Sequence, residues 1–265
     1  MNKVWDSAKF IIKVVGLYYV VSILCMFVLG PIGYINGGIE KINGLILSVP
    51  PLVLIVVIIM ILKDRYKTNL KETFEKLDIR KFNSSSKKLV ILLSIIGVFI
   101  GSGISYDISK FFKELDVDLS FLDGAVKTFT GCIGIAILGP ISEEILCRGL
   151  ILKRLLKNNN VYVALIVQAL IFSIMHGNFV QGINAFIFGI GLGVLYLYSN
   201  SLLAPILVHI INNTLCVIFA TGLINLDIVF DNLIIVNILL VLGLISLIVI
   251  CKKSLRVYKD RLLKQ

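Results

Sequence analysis

Eight times along this chain an apolar stretch of about bilayer length is followed by a polar break: 10–29, 42–62, 89–106, 125–152, 161–176, 183–198, 202–220 and 233–250. A helix needs about 20 apolar residues to cross a bilayer, and runs of this kind read as membrane spans. The fold expected is therefore all-α and polytopic, with about eight transmembrane helices. The fifth and sixth runs are short, so their ends must extend into neighbouring polar residues or be shielded by protein. Hydrophobic residues make up 58% of the chain, well above the roughly 45–50% of soluble domains.

The net charge of +10 would suit a nucleic-acid partner, but its distribution gives it another meaning. Of the 26 basic residues, 20 fall at the N-terminus, between the second and third runs, after the fourth run and in the tail; the alternate loops hold only Lys41, Lys110, Lys113 and Lys127. Lysine and arginine collect on the cytoplasmic side of a membrane. The expectation is a multi-pass protein of the cell membrane with both termini in the cytoplasm, resting its basic loops on anionic lipid heads, and with no nucleic-acid partner. Lys3, Lys9 and Lys13 lead into the first run with no small-residue cleavage site after it, which reads as an uncleaved span. Cys25, Cys132, Cys147, Cys216 and Cys251 show no paired spacing, so neither a disulfide framework nor a zinc finger is indicated. The stretch 107–123, with acids among Phe111, Phe112, Leu115 and Phe121, has the pattern of a short helix lying at the interface.

Within these runs a few residues do not belong in lipid. Gly139 to Arg148 reads G-P-I-S-E-E-I-L-C-R, placing Glu143, Glu144 and Arg148 in the fourth run. Ionisable groups at membrane depth cost several kcal/mol or more, and their default reading is functional. Glu144 and Arg148 are four apart, share a helix face and should pair. Glu143 points elsewhere and lacks a local cation, which suits a general base. The only two histidines, His176 and His209, also lie late in apolar runs, with Phe172 one turn before the first and Asn213 one turn after the second. So many costly side chains are most simply explained if they face one polar cavity. Pro140 and Pro205 should kink or start helices nearby, and Gly189 with Gly193 should let two helices pack closely.

E-E-x-x-x-R (Glu143, Glu144, Arg148), F-x-x-x-H (Phe172, His176) and H-x-x-x-N (His209, Asn213), in this order on successive apolar runs, resemble the CAAX protease and bacteriocin-processing family of intramembrane endopeptidases. The resemblance covers about 125–220. It divides the chain into N-terminal helices with a basic loop (1–124), a protease-like core (125–220), and a last helix with a basic tail (221–265). It implies a conical intramembrane active-site cavity. By the resemblance, Glu143 with His176 activates water, His209 and Asn213 form the oxyanion hole, and Glu144 with Arg148 is a supporting pair. Phe172 reads as packing. Cys147 departs from the aromatic usual beside the arginine, which touches local packing or the substrate groove.

Peptide hydrolysis in a membrane needs a held water, a base and donors for the developing oxyanion, and these residue types supply all three. No cofactor is required on this reading. Its alternative is a Zn2+ ion held by Glu143, His176 and His209, although H-E-x-x-H is absent. A non-catalytic member of the same fold, acting in bacteriocin immunity or as a regulatory membrane-binding protein, is the other functional class. A proton-coupled transporter would need paired interrupted helices in two halves, which the chain lacks. Richness in Ile, Lys and Asn suits a low-GC bacterium. That favours the bacterial plasma membrane, with a peptide pheromone, a bacteriocin precursor or a membrane protein as substrate.

Overall fold

Inside lipid a backbone N–H or C=O must find its partner within the protein, and this chain meets that demand with helices. The computed structural model describes residues 3–111, 124–177, 179–223 and 232–263, and among them there is no strand. The helices are α1 (Lys3–Ile35), α2 (Asn43–Tyr66), the short α3 (Leu70–Lys76), α4 (Ser84–Phe111), α5 (129–155), α6 (Val161–Met175), α7 (Phe179–Ser199), α8 (Leu203–Ala220) and α9 (Leu233–Leu262). Six of them, α1, α2, α4, α7, α8 and α9, are long and apolar enough to cross a membrane. The other two expected runs fall on α5, whose helix is interrupted by two π segments, and on α6, which has only 15 residues. The protein is an all-α, polytopic membrane protein. The interfacial stretch expected at 107–123 begins inside α4, and its remainder, 112–123, lies outside the described residues.

Local sequence explains where the helices around the site begin and end. Asn160 accepts from the N–H groups of Tyr162 and Val163 and so opens α6. Gly177, at φ +65°, follows His176 and closes it. Pro205 sits in the first turn of α8, where its missing N–H costs nothing. Pro140, by contrast, sits inside α5 immediately after a π segment.

Helices α1 and α2 pack on α5, α4 packs on α7, α8 and α9, and α6 lies along α7. Two glycines illustrate how closely helices approach. A Cβ on Gly134 of α5 would meet the Leu47 backbone of α2 at 2.7 Å, and one on Gly193 of α7 would meet Leu165 of α6 at 2.7 Å. One core cluster joins residues of α1, α2, α5, α6, α7 and α8; a second joins Leu93 and Ile96 of α4 to Leu192, Val208 and Leu247. The segments 1–124, 125–220 and 221–265 thus share their cores. Cys147 is wholly buried in the first cluster.

One end of the bundle is tied by the connection between α2 and α4. Leu77, 1% exposed, would touch a Cβ placed on Gly149 and lies beside Leu202. Asp78, at φ 59°, accepts from Lys153 Nζ at 2.5 Å and from Tyr196 Oη at 2.7 Å, and pairs with Arg80 at 3.4 Å. Its carbonyl accepts from Leu202 N–H at 2.8 Å. Arg80 in turn donates to Asn200 O at 2.7 Å, and Ser201 Oγ donates to Arg80 O. One carboxylate therefore holds the ends of α5 and α7 together. Asp78→Ala is expected to lower stability by about 1–3 kcal/mol, the range for losing bonds to a charged group, read as a lower melting temperature in detergent; an unchanged melt would show the clamp to be idle.

Candidate active site

Glu143 and Glu144 lie in the α-helical stretch Gly139–Glu144 of α5, between the π segments Gly134–Leu138 and Ile145–Leu152. Helix periodicity sends the two carboxylates different ways. Glu144 is fully buried, whereas the Glu143 side chain is 24% exposed and lines a cavity of about 700 Å³. Among the residues lining the same cavity are His176 from the end of α6, His209, Asn212 and Asn213 from α8, Phe172 and Pro140. Glu143, both imidazoles and the Asn213 amide singled out in the sequence thus line one cavity from α5, α6 and α8.

Glu144 sits at the centre of a chain of charge-assisted bonds. Its Oε1 accepts from Arg148 Nη1 at 2.7 Å and from His209 Nδ1 at 2.9 Å. Arg148, also fully buried, uses Nη2 to reach the Gly189 carbonyl of α7 at 2.9 Å. Gln168 of α6 donates to that same carbonyl at 2.9 Å. The guanidinium lies 4.7 Å from the centroid of the Phe172 ring, a cation–π contact that helps a charge tolerate burial. The pair is therefore a tie among α5, α7 and α8. A buried pair contributes less through its Coulomb attraction than through the penalty for breaking it.

The bonds made by the imidazoles fix their orientation. His176 Nδ1 stands 2.9 Å from Phe172 O; a carbonyl only accepts, so Nδ1 carries the hydrogen and the neutral ring keeps a lone pair on Nε2. His209 turns Nδ1 to Glu144 and leaves Nε2 3.6 Å from Glu143 Oε2. Both rings meet Phe172 edge-on, at 4.8 and 5.7 Å between centroids, and Phe188 closes on His209 at 5.4 Å. Phe172, 1% exposed, is the shared wall against which both histidines are set. No direct bond joins Glu143 to His176 among the described residues; the imidazole beside Glu143 is that of His209. Asn213 Nδ2 donates to Ile135 O of α5 at 2.9 Å.

Among the described residues no three His, Cys, Asp or Glu side chains converge closely enough to hold a metal ion, and Glu143, His176 and His209 are not so grouped.

Sequence reasoning passed over three participants. Gln168 carried a signal, being the one carboxamide in an otherwise apolar helix. Asn212, 7% exposed, ties α8 to α4 through Ser94 O at 3.0 Å, beside the asparagine that drew the attention. Phe188 carried none, because nothing distinguishes it from the other aromatics of α7.

Comparison with known proteins agrees with the motifs. Residues 125–215 match the family described as type II CAAX prenyl endopeptidase Rce1-like. A protein of Bacillus subtilis (strain 168) named "Putative membrane peptidase YdiL" is 28% identical over 153 residues, covering 55% of this chain and 63% of that protein, so the match spans less than two thirds of the relative's length. No solved structure matches the chain. The segment holding the acid pair, the arginine and both imidazoles is thus the one that is similar to the Rce1-like endopeptidases.

Proposed function

We propose that the protein is an intramembrane endopeptidase that hydrolyses a peptide bond of a membrane-associated peptide or protein. The observation that carries this reading is the single cavity of about 700 Å³, in which Glu143, His176, His209 and Asn213 from three helices meet inside an apolar bundle. A water held between the Glu143 carboxylate and the Nε2 lone pair of His176 loses its proton as it attacks the substrate carbonyl. The proton then passes to the leaving amine. Asn213 on the adjoining wall donates to the oxyanion, and His209, whose Nδ1–H is held by Glu144, donates there through Nε2 when its ring is doubly protonated. Glu144 and Arg148 take no part in proton transfer; they fix His209, because Glu144 engages its Nδ1. On this reading the reaction needs no metal.

The excess of basic residues at alternate loops supports a placement with both termini in the cytoplasm. The substrate proposed is a peptide pheromone, a bacteriocin precursor or a membrane protein, in a bacterial plasma membrane.

Comparative peptidomics of membranes from wild-type and Glu143→Gln cells tests the reading. At least one peptide is expected to lose its cleaved form in the variant while the protein still accumulates and inserts. Identical peptide sets, with the biological phenotype intact, would instead make this a binding or immunity protein of the same fold. Adding a chelator to wild-type membranes should leave the cleaved forms in place; their disappearance would reinstate a metal.

A further inference from the structure

Helix α5 changes its hydrogen-bond register just before the acid pair. The N–H of Gly139 reaches back five residues to the Gly134 carbonyl. The next carbonyl in the row, that of Ile135, would by the same register take its donor from residue 140. Residue 140 is proline and has no N–H. The carbonyl is left without a helical donor on the cavity wall, and Asn213 Nδ2 fills the vacancy at 2.9 Å. Ile135, Pro140 and Asn213 all line the cavity.

We infer that Pro140 is a positioning residue for Asn213: by withholding the helical donor from Ile135 O, it creates the acceptor that fixes the carboxamide beside His209. A carboxamide has two faces that differ in sign, an NH2 that donates and an oxygen that accepts. Anchored through one N–H on Ile135 O, Asn213 keeps its second N–H for the cavity and cannot turn its oxygen toward a developing negative charge. Released, it can turn over and repel the charge it should stabilise. The role in turnover rests on the endopeptidase reading; the bond itself does not.

Pro140→Ala restores an N–H that competes with Asn213 for the carbonyl, and Pro140→Ser does the same should the alanine variant fail to accumulate. The expected result is a fall of about 10-fold or more in kcat with little change in KM, the pattern of a lost transition-state contact. In an Asn213→Ala background the same change should cost nothing further, because Pro140 acts only through Asn213. A second readout needs no substrate. In protein labelled with 15N-asparagine, the side-chain amide resonance of Asn213, identified by its loss in Asn213→Ala, should shift in Pro140→Ala. A shifted resonance in a protein that cleaves nothing would sink the endopeptidase reading and keep the positioning. An unmoved resonance, or equal losses of kcat in both backgrounds, would overturn the inference.

Discussion

Arg148→Ala is expected to remove most of the folded protein from the membrane. The guanidinium is fully buried, is bonded at 2.7 Å to an equally buried Glu144, and reaches the Gly189 carbonyl at 2.9 Å. Taking away one partner of such a pair leaves the Glu144 charge with no solvent and only the His209 N–H to meet it, a loss of about 3–5 kcal/mol. That is a large part of the 5–15 kcal/mol by which a typical protein is stable. Arg148→Lys should recover only part of it, because a point charge on a flexible stem cannot serve the carboxylate and the carbonyl with the fixed fork that arginine offers. Membrane abundance and detergent melting temperature of the three forms check this. Normal abundance of the alanine variant would mean that the pair is dispensable and that Glu144 finds another partner.

Glu143→Ala should leave abundance nearly unchanged and remove catalysis. Its side chain faces the cavity, is 24% exposed, and is met by a single imidazole at 3.6 Å, so little packing depends on it. Loss of a general base lowers turnover by about 10²–10⁴-fold. His176→Ala should fall as far, since the two groups act on one water. The double variant should lose about as much as either alone, because residues that act as a unit are not additive. Rates for a peptide identified by the membrane comparison, measured with purified protein, provide the check. Full turnover by Glu143→Ala would end the proposal, and multiplied losses in the double variant would separate the roles of the two residues.

Local geometry was readable from the chain, and contacts between distant helices were not. The pairing of Glu144 with Arg148 follows from four-residue spacing and forms even though Arg148 lies in a π segment. The apolar lengths told where α1, α2, α4, α7, α8 and α9 would run. The bond from His209 to Glu144 joins residues 65 positions apart, and no local rule places one helix against another at that separation. The π segments of α5 left a trace in Gly134, Gly139 and Pro140, which reads as a break but not as a change of register. Gly193 read as a packing residue, and the close approach of Leu165 and Gln168 is what its missing side chain allows.

The tie at Asp78 has a consequence for how the chain is made. Its partners on α5 and α7 follow it by 75 and 118 residues, so the connection after α2 leaves the ribosome long before anything exists to hold it. Interactions across such separations form late and slowly. Until α7 has entered the bilayer, α1 and α2 wait beside an unfastened loop, open to proteases on that side of the membrane. Pulse-chase proteolysis of nascent chains should show this loop becoming resistant only after the chain has been synthesised past Leu202, whose N–H also bonds to Asp78.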